Sequence, residues 1–113
     1  FVVLHGARFG WDLGYRTELE SLARVCPHLT YIPSITRADQ DPHFAGHTGR
    51  IQTLLAEGVV ERESGLALDP EQAEVFLCGN PDMLAAVQGL LEVRGYEVGS
   101  GKEPGTLHLE KYW

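Results

Sequence analysis

Two short apolar runs, "FVVLHG" at residues 1–6 and "EVFLCG" at residues 74–79, do most to restrict the fold. Both are continuous rather than alternating, and both end on glycine. A strand with one wet face alternates. A continuous run is read as a strand buried on both faces, as in a parallel sheet between helical layers. The stretches between them carry helical spacing. Asp12 can cap a helix over residues 13–26 with Leu19, Leu22, Ala23 and Cys26 on one face, closed by Pro27. "LTYIPSIT" (residues 29–36) is β-rich, and Pro33 removes one ladder donor, which predicts an edge strand.

Residues 37–49 read as a polar loop. Thr48 can cap a helix that carries Ile51, Leu54 and Leu55 and ends at Gly58. Residues 59–73 read as a connection, with "LDPEQ" as a turn. Asn80 and Pro81 supply an N-cap and an N1 proline to a helix with Met83, Val87, Leu90 and Leu91 inward, stopping near Gly95. "VGSGKEPG" reads as loop and "TLHLE" as the last strand. Strands alternating with crossover helices predict an α/β protein with a parallel sheet and helices on both faces.

The chain has 113 residues, enough for one modest core. Its net charge of -7 argues against nonspecific binding to nucleic acid or an anionic membrane. No apolar run is long enough to span a bilayer. Two cysteines, Cys26 and Cys78, do not make a secreted disulfide framework, so a reduced, cytoplasmic setting is expected. Phe1 opens directly into a strand with no polar lead-in, so the chain is expected to begin within a longer protein.

Ligands of parallel α/β sheets bind beyond the carboxyl ends of the strands. Arg8 follows the first strand, Arg37 follows "IPSIT", and Arg50 opens the helix after Thr48. Three of only nine Lys and Arg residues thus sit at the ligand edge. Guanidinium forks bind phosphate in a bidentate manner, so the trio suits a phosphate monoester; alternatively each is a solvated surface residue. "CGNP" is a strand-to-helix junction, either an anion site or an ordinary capped turn. Gly79 there lets a ligand approach the backbone. Cys78 reads as a small buried hydrophobe and Cys26 as a core residue of its helix. His43 and His47 have i, i+4 spacing, but Pro42, Gly46 and Gly49 speak against a helix, and no metal site is expected. "GSGK" lacks the glycine and the Ser/Thr of a phosphate loop.

Taken together, "LHGAR", "ITRAD", "HTGRI", "VFLCGNPDM" and the terminal "EKYW" resemble the C-terminal, NADP-binding domain of the bacterial ferredoxin (flavodoxin)-NADP+ reductases. The resemblance implies a three-layer, Rossmann-like parallel sheet from which the family's first, central strand is missing. The strands at residues 1–5 and 75–78 must then pair directly or leave a gap. It implies NADP(H) and FAD as cofactors, with FAD held mainly by a domain outside this chain and hydride passing between the two. The partners implied are that FAD domain and a ferredoxin or flavodoxin. By resemblance, Arg8, Arg37 and Arg50 form the 2′-phosphate pocket and Tyr15 lies near the adenosine end. Gly79, Asn80, Pro81 and Met83 line the pyrophosphate and nicotinamide path. Cys78 sits beside the nicotinamide as a positioning residue, Glu110 lies near the flavin, and Tyr112 and Trp113 pack on FAD. The alternatives are the reductase component of an oxygenase, or a nucleotide-binding module that never meets a flavin.

Overall fold

A computed structural model describes residues 1–111 of the chain. It divides into two compact units, Phe1–Gly65 and the part from Leu66 onward. Each unit holds its own sheet.

In the first unit, β1 (Val2–Ala7) leads through a 3-10 turn (Gly10–Asp12) into α1 (Arg16–Val25) and β2 (Thr30–Ile35). A short β3 (His47–Thr48), α2 (Ile51–Ala56) and α3 (Val59–Ser64) follow. The sheet order is β1-β2-β3, all parallel. Ile32, Ser34 and Ile35 of β2, Leu54 and Leu55 of α2, and Val59 and Val60 of α3 are buried.

Several sequence readings need correction here. The first helix starts at Arg16 rather than residue 13, because Asp12 belongs to the 3-10 turn and caps nothing. Its half-buried stripe is Arg16, Leu19, Glu20 and Ala23, while Leu22 is exposed. Thr48 lies in β3, and Arg50 takes the N-cap position of α2 without a side-chain cap bond. Part of the expected connection is the helix α3. The strand at residues 29–36 is central in its sheet, yet β3 pairs only with Ser34 and Ile35. Thr30 and Thr36 donate to the carbonyls of Phe1 and Ala7, both at 3.0 Å. Donors alternate sides along a strand, so Pro33 turns its missing N–H away from β1, toward the edge that β3 leaves unpaired.

The second unit contains β4 (Val75–Gly79), α4 (Pro81–Val93), β5 (Val98–Ser100), β6 (Glu103–Gly105) and β7 (Leu107–Lys111). Its sheet order is β4-β7-β5-β6. The β4–β7 and β7–β5 pairs are parallel and β5–β6 is antiparallel. The stretch read as loop is therefore a hairpin. Gly105, at φ +70°, holds it closed, and a Cβ there would come within 2.3 Å of the Gly99 backbone nitrogen. Leu77 and Leu107 of the sheet are buried, as are Leu84, Val87 and Leu91 of α4, which packs on β4 and β7. Phe76 is 78% exposed on the opposite face, so β4 is buried on one side only.

β1 and β4 thus end up in separate sheets, with no ladder between them among the described residues. Each is the terminal strand of its own sheet.

Candidate functional site

The arginine edge belongs to the first unit and is built by three backbone features. Ala7 pairs with Ile35, and Ile35 pairs with Thr48, so the three strands end in one row. Arg8, Arg37 and Arg50 lie one or two residues beyond that row. Past the row, the Arg37 N–H donates to the Arg8 carbonyl at 2.9 Å, which ties these two residues together. Arg50 is brought in by its neighbour: Ile51 lies over Gly6, where a Cβ would come within 2.8 Å of Ile51 Cγ1. Gly49 turns the chain at φ +127°, a conformation costly for any side chain. Its N–H donates to the Ile35 carbonyl at 2.9 Å, and its own carbonyl accepts from Ser34 Oγ at 2.7 Å. Ser34 is fully buried, so this bond is shielded and fixes the approach to Arg50.

All three arginines are exposed. Among the described residues, no carboxylate lies within ion-pairing distance of any of them. Arg16 and Arg24, by contrast, are engaged by Glu20 at 3.0 Å and Ser21 at 3.2 Å. In a chain of net charge -7, three arginines on one sheet edge without a carboxylate partner leave a local excess of positive charge. The residues present therefore fit a phosphate group.

Tyr15, at the start of α1, is 81% exposed and has φ +59°. It is the one non-glycine residue with positive φ among those described. A bulky residue in that region is strained, and such strain concentrates at functional positions.

The second unit holds the other candidates. Cys78 and Glu110 are register partners on β4 and β7, one strand apart. Both are exposed. The expectation of a buried Cys78 is thus corrected: side chains alternate along β4, and Cys78 falls with exposed Phe76, opposite buried Leu77 and Gly79. One row below, Phe76 and His108 stack at 4.5 Å, and His108 Nε2 lies 3.1 Å from Glu74 Oε2.

Asn80 caps α4 by accepting the Met83 N–H at 2.9 Å, and Pro81 occupies the first turn. Since Pro81 has no N–H and Met83's is taken, Asp82 is the one residue of that turn with a free amide. A Cβ on Gly79 would come within 2.2 Å of Met83 Cε, so the glycine makes the space in which Met83 lies over the strand end. Cys26 and Cys78 are both free thiols, in different units. Cys26 is half-buried at the end of α1 rather than in a core. Tyr112 and Trp113 lie outside the described residues.

Two features escaped the sequence reading. The first is the stacked pair Phe9 and Trp11, directly after Arg8, for which "RFGW" was the available signal. The second is a cavity of about 500 Å³ in the first unit, between α1, the open edge of β2 and residues 44–47. Four of its charged groups pair: Arg16 with Glu20, and His47 with Glu63 at 2.8 Å. Beside it, His5 Nδ1 and the Tyr31 hydroxyl are 3.0 Å apart. Burial lowers the pKa of His5. Burial, and then the nearby Glu20, raise that of Tyr31. Among the described residues no three His, Cys, Asp or Glu side chains cluster as metal ligands, and no helix is long and apolar enough to cross a membrane.

A parallel α/β frame with arginines at its strand ends is consistent with a nucleotide-binding domain, and comparison with known proteins gives the family. Residues 1–89 match the family described as oxidoreductase NAD-binding domain, and the chain belongs to that family. It is 40% identical to "Ferredoxin--NADP reductase A" of Sorangium cellulosum, over 97% of this chain and 41% of that protein. It is 32% identical to "Flavodoxin/ferredoxin--NADP reductase" of Escherichia coli, over 99% of this chain and 45% of that protein. A crystal structure of a ferredoxin NADP+ reductase from Neisseria gonorrhoeae, solved with bound FAD and NADP, superposes with a TM-score of 0.84 at 26% identity. That match covers 99% of this chain and 44% of the neighbour. The likeness to the NADP-binding domain of ferredoxin (flavodoxin)-NADP+ reductases is therefore real, and so is the Rossmann-like fold class. The chain spans less than half the length of the relatives it matches.

Proposed function

We propose that these 113 residues are part of the NADP(H)-binding domain of a longer, FAD-dependent ferredoxin/flavodoxin-NADP+ reductase. The observation that supports the reading is that Arg8, Arg37 and Arg50, free of carboxylate partners among the described residues, follow the ends of the three strands of one sheet. Their role is to take the 2′-phosphate that distinguishes NADP from NAD. A dianion among three guanidiniums gains charge-assisted, bidentate hydrogen bonds that a free hydroxyl in its place cannot make. Tyr15 stands by the adenosine. Gly79 and Met83 shape the passage of the pyrophosphate and nicotinamide, and Asn80 and Pro81 fix the turn beneath it.

When bound, NADPH supplies a hydride from nicotinamide C4 to flavin N5. A flavin held by the rest of the protein would supply one-electron chemistry toward a ferredoxin or flavodoxin. The protein's part is orientation. Cys78 and Glu110, adjacent across β4 and β7, present a thiol and a carboxylate at one strand end. Cys78 positions the nicotinamide without acting as a nucleophile, and Glu110 places a negative charge near the flavin. Tyr112 and Trp113 pack on FAD in this reading.

A second reading has one specific support. The chain is also 33% identical, over 82% of its length, to a component of the Na(+)-translocating NADH-quinone reductase of Klebsiella pneumoniae, a protein named for NADH. The two readings differ in the nucleotide. Purified as the longer protein, the reductase should be yellow, with flavin absorbance at ~450 nm that NADPH bleaches anaerobically and faster than NADH. A colourless protein that FAD cannot reconstitute contradicts the flavoenzyme reading. Faster bleaching by NADH contradicts the NADP reading.

A further inference from the structure

We infer that the stacked pair Phe9–Trp11 is the platform on which the adenine ring of the bound nucleotide lies, with the outer face of Trp11 as the contact surface. The inference rests on the arginine edge being the phosphate pocket of that same nucleotide.

The two rings are 4.5 Å apart and 8° from parallel. Phe9 is half-buried beneath, and Trp11 is 68% exposed, so one indole face is backed by a ring and the rest is open. The open indole face of Trp11 is a flat aromatic surface on which a planar ring can stack.

The orientation is fixed from several sides. Asp12 N–H donates to the Phe9 carbonyl at 3.1 Å and Leu13 N–H to the Gly10 carbonyl at 3.2 Å, closing the 3-10 turn. Leu13 is buried and anchors the turn's far end. Between the two rings, Gly10 is buried, and its N–H donates to Asp41 Oδ2 at 2.8 Å. A Cβ at Gly10 would strike Arg16 at 2.7 Å, and Asp41 and Phe44 at 3.0 Å each. The Phe-Gly-Trp segment is thus clamped between α1 and residues 41–44.

Position selects the ligand. Phe9 directly follows Arg8, whose carbonyl holds the Arg37 backbone. A ligand with a phosphate on that edge brings its nearest planar group to the aromatic pair. In a dinucleotide phosphorylated on the adenosine ribose, that group is adenine. Stacking reads a π-face and ignores the 2′-substituent, so the platform contributes affinity without discrimination.

This separates its effect from that of the arginines, and calorimetric titration of the whole chain with NADPH and NADH tests it. Trp11→Leu should weaken both nucleotides by the same factor, about tenfold or about 1.4 kcal/mol, leaving their affinity ratio unchanged. Trp11→Phe keeps a ring and should remain within about threefold of wild type. If neither variant changes either affinity while the wild type still prefers NADPH, the platform is refuted and the arginine pocket stands. If Trp11→Leu lowers NADPH alone, Trp11 shapes the phosphate pocket and does not stack on adenine. If Phe and Leu weaken binding equally, the ring is not the active feature. If the wild-type chain binds neither nucleotide, the pocket and the platform fall together.

Discussion

The role proposed for Arg50 rests on its placement. Among the described residues its side chain makes no ion pair, while the backbone around it is held closely: Gly49 at φ +127°, Ser34 bonded to the Gly49 carbonyl, and Ile51 over Gly6. Arg50→Ala should remove most of the preference for NADPH over NADH, a loss of about tenfold or about 1.4 kcal/mol, with little change in NADH affinity. Equal weakening of both nucleotides would show that Arg50 does not discriminate. His5 makes a different prediction. Burial depresses its folded-state pKa below 6.5, so the folded chain resists a proton that the unfolded chain accepts. Stability is therefore full above pH 6.5 and declines as pH falls from there through the folded value. Urea midpoints should drop over that interval, and His5→Gln should flatten the drop. An unchanged slope in the variant would assign the decline to other groups. The residues most readable in the sequence were those fixed by strand ends. Arg8, Arg37 and Arg50 could be placed on one edge from strand order alone, whereas Trp11 could not. Its stacking depends on a 3-10 turn held by Asp41, about thirty residues away, and local patterns do not report such contacts.

At the scale of elements, the sequence was clear where a cap or a long period existed. Asn80 and Pro81 announced α4, and the structure has the side-chain Oδ1 of Asn80 accepting from the Met83 N–H as a cap should. Asn80→Ala should cost about 1 kcal/mol in chemical denaturation. Where shape rather than pattern sets the element, the sequence misled. The β5–β6 hairpin looked like loop because its strands are three residues each and rich in glycine. Its backbone closes so tightly at Gly105 that no side chain fits. Gly105→Ala should therefore destabilise the chain by about 1–3 kcal/mol in urea denaturation, and a neutral effect would mean the hairpin opens freely. Asp12 misled for a related reason. A good capping residue lies ahead of α1, but the 3-10 turn and Tyr15 at φ +59° delay the helix to Arg16.

At the scale of the whole chain, strand order explains most of what the local reading could not. The continuous apolar run "FVVLHG" predicts burial on both faces, and among the described residues β1 and β4 each have one ladder. The strands fall into two sheets, one all parallel and one mixed. The matched relatives are more than twice as long as this chain. The half-exposed faces of β1 and β4 therefore belong to a chain that matches only part of a larger protein. The central claim concerns the edge of the first sheet and does not depend on the rest: three arginines read a 2′-phosphate. Calorimetric titration of the wild-type chain with NADPH and with NADH tests it directly. The account predicts NADPH binding at least about tenfold tighter, a gap of about 1.4 kcal/mol that shrinks as salt rises. Equal affinities would contradict it.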